Sequence, residues 1–333
     1  MDEERNARIS EIFYYFEKHT DIKNGRTVGR KIGVVQEILV KKMLVQDQRI
    51  VDCMVYEPRL RGRSNATHKV EFVLYFPCCV ILLKNEVVAR IKDPNLQVQV
   101  DRVDATRGRA RIHIHTGEGT QVKVLGLDQA LPVHIKTASG NQTIFIKLAG
   151  INEGVVRLSL LDAQRPIASI ESKRVGAQRF SGTDALGSGI QTIEKAKQAA
   201  LAAVDFDLLY NKTLLANSTL GETRNFRSFV VLGNGVHWTD HDLAVLGTYV
   251  DYTFLAKDRS IIRYAEFVRS KSEENDEEFF DFFMDYFQGT TKMSPDLFTV
   301  STDDFELLRG ARDLNLVAAI VRQIPKYRVL TIR

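Results

Sequence analysis

The chain has 333 residues, 44% of them apolar and 26% charged, a composition that supports a large buried core and excludes a disordered, collagen-like or low-complexity protein. A formal charge of +4 and a pI near 8.8 permit contact with nucleic acid without requiring it. Three cysteines, Cys53, Cys78 and Cys79, are too few for a disulfide scaffold and lack zinc-ligand spacing, so they read as buried thiols of a reducing compartment.

The first residues, MDEERNAR, are charged from the second position and carry no signal-like apolar run. The longest apolar run, residues 72–83, is interrupted by Pro77 and is too short to cross a bilayer. A cytoplasmic protein without membrane association is therefore expected, and its Asn-x-Ser/Thr matches carry no meaning without secretion. Residues 4–18 place Ile9, Ile12, Phe13 and Phe16 at helical spacing. A second helix is predicted over 27–44, with Val35, Ile38, Leu39 and Met43 toward the core and the acid Glu37 on its length. Residues 50–56 read as a strand. The loop 57–68, EPRLRGRSNATH, carries Arg59, Arg61 and Arg63 beside a glycine and small polar donors, which suits either a phosphate backbone or plain solvent.

Strands are predicted at 69–76, bearing Glu71, and at 80–83. From 96 to 148 apolar and polar residues alternate between glycine-bearing turns at 106–108, 116–119 and 139–141, the pattern of a β-rich region. Arg107, Arg109 and Arg111 alternate beside one of those hairpins. His113 and His115 share a strand face, but with no third ligand in view a surface pair is the preferred reading.

Residues 155–161 and 167–175 are two apolar runs flanking Ala163-Gln164-Arg165-Pro166, which reads as a turn. The resulting hairpin would bring Asp162 back toward Glu171 and Lys173, which lie two apart and so share a face of the returning strand. A Glu-x-Lys triplet in itself equally describes a cross-strand ion pair. Its context adds weight: Arg174, Gln178 and Arg179 are donors for phosphates and guanine edges. Then Ser181-Gly182-Thr183-Asp184 caps a periodic helix over 185–203 that carries Glu194, a helical stretch follows at 205–215, and after the polar loop 217–225 residues 226–232 read as a core strand. Two acids and the main-chain carbonyl of Ser172 can hold Mg²⁺ through oxygen, beside a lysine that steers water and stabilises charge on phosphorus.

This order of elements and residues resembles the PD-(D/E)xK nuclease superfamily, and in particular type II restriction endonucleases. The resemblance covers residues 155–235 by motif and the N-terminal third more loosely. It implies an α/β (α+β) fold with a restriction-endonuclease-like core, a mixed β-sheet flanked by helices, and here an added β-rich region. It further implies Mg²⁺-dependent cutting of double-stranded DNA by a homodimer. Asp162 takes the place of the first acid, Glu171 of the second and Lys173 of the lysine, with Asp162, Glu171 and the Ser172 carbonyl as metal ligands. Leu161 departs from the proline the family often has there. Arg61, Arg63, Arg174, Gln178 and Arg179 are the expected DNA contacts, and Glu37, Glu71 and Glu194 are accessory acids, with Glu194 the alternative to Glu171 because some restriction enzymes carry the second acid on the following helix. The alternatives are a repair or junction nuclease on the same core and a non-catalytic DNA-binding regulator.

Further along, His237 and His241 flank Thr239 and Asp240, read as a capped helix start, and 249–255 as a strand. Residues 273–287 put an acidic head on an aromatic-rich helix whose charge belongs away from DNA. A last helix capped at 302–304 and running to 324, then a strand at 327–332, complete the expectation. The expected division is 1–95, helices and strands with a DNA-contacting loop; 96–150, a β-rich subdomain; and 151–333, the catalytic core.

Overall fold

A computed structural model describes residues 28–56, 71–84, 87–91, 96–137, 140–174, 226–233, 238–273, 298–311 and 314–332. The expected helices at 4–18, 185–203 and 205–215, the polar loop 217–225, the loop with Arg61 and Arg63, the donors Gln178 and Arg179, Glu194, His237, and residues 274–287 lie outside them.

The chain is mixed α/β with far more strand than helix. In order come α1 (Val28–Leu44), α2 (Gln48–Cys53), β1 (Met54–Tyr56), β2 (Phe72–Leu83), β3 (Val88–Ile91), β4 (Leu96–Asp104), β5 (Arg109–Thr116) and β6 (Gly119–Gly126). Next are β7 (Ala130–Thr137), β8 (Gly140–Asn152), β9 (Val155–Arg174) and β10 (Arg227–Gly233). Last are α3 (Asp240–Leu246), β11 (Tyr252–Ala256), α4 (Asp258–Glu273), β12 (Phe305–Arg309), α5 (Leu316–Val321) and β13 (Val329–Ile332). No helix among the described residues is long and apolar enough to cross a membrane.

One large mixed sheet runs β1-β2-β9-β10-β11-β12, with β13 sharing the β1 edge of β2 and the β7–β8 hairpin added beside β9. Strands β9, β10 and β11 are mutually parallel, while β2 is antiparallel to β9. A second antiparallel sheet, β3-β4-β5-β6, stacks over the β7–β8–β9 end, burying Val98, Ile112, Ile114, Ile146, Leu158 and Leu160 between the two layers. At the other end α1, α2, α4 and α5 cover one face of the large sheet over Phe72, Ile170, Phe229 and Phe254. The opposite face carries Val230 and Leu232 against Trp238 and Leu246.

The expected hairpin at 163–166 does not form: β9 is a single strand of 20 residues. Its two apolar runs pair with β2 rather than with each other, Leu158 with Ile81 on one side and Ile170 with Phe72 on the other. The apparent turn is a bulge, in which Asp162 stands opposite Phe76 but Pro166 opposite Tyr75. Pro166, which has no N–H to donate, fits where the ladder is interrupted. Asp162 Oδ1 accepts Gln164 N–H at 3.0 Å, and the Arg165 guanidinium lies over the Phe76 ring, 3.8 Å from its centre. At this bulge β9 exchanges its neighbour on the other edge: residues 155–162 pair with β8 and residues 168–174 with β10.

Three smaller expectations change in the same way. The strands expected at 69–76 and 80–83 are one strand, Phe72–Leu83, over the described residues, since a second irregularity between Pro77 and Cys79 accommodates the proline. Residues 50–53 are helical because Asp47 caps them, its carboxylate accepting Arg49 N–H, and only 54–56 are strand. The expected terminal helix over 302–324 is a short 3-10 turn, strand β12 and then α5, which Asn315 caps through Ala318 N–H. The capped start at Thr239 holds, with Thr239 and Asp242 forming a reciprocal box. Strands β2 and β9 contribute to both buried cores.

Candidate active site

The β2–β9 ladder ends at the pair Phe72 and Ile170. One residue beyond that pair on each strand stands a glutamate: Glu71 ahead of β2 and Glu171 on β9. The next N–H on that edge of β9, from Ser172, is taken by Glu71 Oε2 at 2.7 Å. In extended chain a residue's N–H and C=O point to the same edge, so the Ser172 carbonyl lies on the edge of β9 from which its N–H reaches Glu71. Lys173, on the same face of β9 as Glu171, sets its ammonium 3.2 Å from Glu171 Oε2.

Burial gives this cluster its electrostatic character. Glu171 is only 1% exposed and Glu71 8%. Burial, then the carboxylates of Glu37 and Glu171, push the Glu71 carboxyl well above the usual carboxylate range, against the opposing pull of the Lys173 ammonium and the Ser172 N–H. Carboxylates gathered at the end of a buried ladder are costly in isolation and need positive charge beside them. Lys173 supplies part of it.

Helix α1 brings Glu37 into this field. Its neighbour Gln36 is fully buried and donates from Nε2 to the carbonyl of Val231 on β10 at 2.8 Å, and at the longer distance of 3.5 Å to that of Lys173. Gly233 makes room for this clamp, since a Cβ there would stand 1.8 Å from Gln36 Oε1. Gln36 thus registers the helix carrying Glu37 against the two strands that bound the cluster. Neither Gln36 nor Gly233 stands out in the sequence as functional; a polar residue amid the helix's buried positions was the one available signal.

Asp162, expected as the first acid, is not brought to Glu171. It lies opposite Phe76, four β2 residues from Phe72, on the order of 15 Å along the strand from the glutamates. Its carboxylate serves the bulge instead, and burial raises its pKa while the Gln164 N–H, Arg165 and Gln142 pull it down. The carboxylate that does stand beside Glu171 is Glu71, an accessory acid in the sequence reading. The backbone of Arg174 continues β9 beside Gly233. His113 and His115 stack on a partly exposed strand face, with His113 Nε2 3.3 Å from Asp101 Oδ2 and His115 Nδ1 2.8 Å from Thr120 Oγ1, which is the surface pairing expected of them.

Among the described residues no three His, Cys, Asp or Glu side chains group as metal ligands. Two carboxylates, Glu71 and Glu171, stand close enough to repel each other here, and the Ser172 carbonyl is the main-chain oxygen on the same edge of β9. An oxygen-only set of this size suits Mg²⁺, which binds through one or two carboxylates and retains several waters. The raised Glu71 pKa fits the same ion, because a dication beside it would favour the ionised carboxylates that burial and mutual repulsion oppose. Compared with protein-family models, with curated proteins and with solved structures, the chain matches none.

Proposed function

We propose that this chain is a Mg²⁺-dependent endonuclease of the type II restriction class, hydrolysing phosphodiester bonds of double-stranded DNA at a specific sequence as a homodimer. The observation that carries the reading is the buried junction of Glu71 and Glu171 across the end of one ladder, with Lys173 beside Glu171 and the Ser172 main chain turned toward Glu71. The surrounding elements support it. A helix bearing an acid, α1, precedes an antiparallel strand pair, and a parallel strand follows, the order of the restriction-endonuclease-like core.

In this reading Glu71, Glu171 and the Ser172 carbonyl would hold the ion. Bound there, Mg²⁺ would make its water more acidic and neutralise charge gathering on the phosphate. The Lys173 ammonium, anchored by Glu171, orients the attacking water and stabilises the negative charge on the equatorial oxygens as the water oxygen–phosphorus bond forms and the P–O3′ bond breaks. The attacking water gives up its proton to solvent as it bonds to phosphorus, and the leaving O3′ oxygen takes one from solvent. Gln36 holds α1, so that Glu37 assists from the edge of the cluster.

The test is digestion of a plasmid of known sequence with Mg²⁺ and with EDTA, using the native chain and Lys173→Ala. Discrete fragments that require Mg²⁺ and vanish with Lys173→Ala are expected. Structure-selective nicking of branched DNA would instead indicate a repair or junction nuclease on the same core. Specific DNA binding with no cleavage under any condition would indicate the regulator.

A further inference from the structure

The second sheet has an arginine-bearing outer face. On β5, Ala110, Ile112 and Ile114 point inward, so Arg109, Arg111, His113 and His115 point outward. On β4 a bulge between Val100 and Arg102 interrupts the alternation and leaves both Asp101 and Arg102 exposed, Arg102 directly opposite Arg111. On β6, Val124 lies opposite Arg111 and Val122 opposite His113, and the two valines are 60% and 44% exposed. Arg107 projects from the β4–β5 turn.

At one end of this face an open depression of about 400 Å³ is lined by Arg102, Asp104, Arg107, Arg109, Arg111 and Val124. The turn that shapes it is held firmly. Asp104 Oδ1 accepts Arg107 N–H at 3.0 Å, and Gly108, at φ +58°, sits where a Cβ would be 2.7 Å from Leu127 Cδ1. Arg111 shares Asp101 at 3.2 Å and Arg107 approaches Asp104 at 4.0 Å, both on the surface. Arg102 and Arg109 have no acidic partner among the described residues. Four guanidinium groups, Arg102, Arg107, Arg109 and Arg111, with only Asp101 and Asp104 set against them among the described residues, leave net positive charge on this face, which attracts a polyanion.

We propose that the outer face of β4–β5–β6 is a docking surface for the phosphate backbone of a nucleic-acid duplex, separate from the Glu71–Glu171 junction. Arginine forks suit phosphate oxygens, and the flanking imidazoles offer further polar contacts. The face carries no Phe, Tyr or Trp, so it lacks the stacking platform by which proteins hold unpaired bases. That leaves backbone contact to paired strands. The choice of nucleic acid over another polyanion rests on the nuclease reading of the β9 end, and the surface then keeps a long substrate engaged at a second point.

The test measures binding of a labelled DNA duplex to the full chain in EDTA, by fluorescence anisotropy over a range of salt. Removing one arginine–phosphate pairing lowers the slope of log affinity against log salt by about 0.9. The Arg102→Ser/Arg109→Ser/Arg111→Ser variant should lower that slope by about 2 to 3 and weaken binding at least about tenfold at low salt, whereas the matching triple Lys variant should retain most of both. Unchanged slope and affinity in the serine variant overturn the proposal, and so does polyglutamate competing as well as the duplex, or single-stranded DNA binding better. Should the triple variant fail to fold, Arg109→Gln alone must still lower the slope by about 0.9. Plasmid cleavage is scored separately. Mg²⁺-dependent cutting with an unaffected slope removes this surface and leaves the nuclease, while a reduced slope without any cutting removes the nuclease and leaves a duplex-binding face.

Discussion

Glu71 and Asp162 offered the same chemistry in the sequence, and the path of the main chain separates them. Glu71 accepts the Ser172 N–H at 2.7 Å, whereas Asp162 accepts the N–H of Gln164, two residues along its own strand. Glu71→Gln is therefore expected to lower Mg²⁺-dependent cleavage by about a hundredfold or more, the scale of losing a group that acts at the transition state, and Asp162→Asn to leave it within a few-fold. Ca²⁺ offers a second readout: it should raise the melting temperature of the native chain and do so far less in Glu71→Gln, because a ligand that binds only the folded state stabilises it. Equal cleavage losses in the two variants would sink the assignment. The Glu171–Lys173 pair was legible because a two-residue period needs only a strand to place both on one face. Which of the candidate acids stands beside that pair was not, because choosing Glu71 over Asp162 requires knowing which strand lies alongside, and no local pattern encodes that pairing.

At the scale of elements, the strands of the β-rich region followed from alternation and their turn glycines, as at Gly108, Gly119 and Gly140, all at positive φ. The long strands β2 and β9 did not, because a proline inside a strand and a proline in a turn leave the same mark; only the common partner shows that Pro77 and Pro166 sit at bulges. The C-terminal end failed differently, its predicted helix yielding to a network around Asp304. That carboxylate is 1% exposed and accepts Ser260 Oγ at 2.7 Å, Ser301 N–H at 2.7 Å and the Arg263 guanidinium at 2.9 Å, tying α4 to the entry of β12. Burial alone would raise its pKa, but these three donors outweigh burial and hold it below the usual 3.8. A depressed carboxylate stabilises the fold above the unfolded value and loses that contribution as pH falls through the folded one. Asp304→Asn should thus cost about 1 to 3 kcal/mol at neutral pH, with the difference from the native chain narrowing below about pH 4. Urea unfolding at several pH values measures both, and a gap that stays constant into acid would show that the charge is not what stabilises the turn.

Over the whole molecule, β2 and β9 do more than carry the candidate site. Each begins or ends among the helices and runs on into the stacked sheets, so the core around Phe72 and Ile170 and the core around Ile81 and Leu158 share two continuous strands. Buried charge crosses the same junction. Asp52 of α2 accepts the Arg157 guanidinium of β9 and the Tyr327 hydroxyl, and Lys147 of β8 reaches the Val51 carbonyl and Asp128. Separating the two halves would expose ion pairs as well as apolar surface, so the folded chain is expected to lose both cores together. The single tryptophan, Trp238, sits 7% exposed against β10 at the helical end and reports that end alone. Ile112→Ala, fully buried between the stacked sheets, should cost about 2 to 5 kcal/mol, and the whole of that shift should appear in the Trp238 fluorescence transition as well as in the far-ultraviolet strand signal. A tryptophan midpoint that stays in place while the strand signal moves to lower denaturant would mean that the bulge in β9 is a boundary between independent units, and that the arginine face is tethered to the candidate site rather than held rigidly beside it.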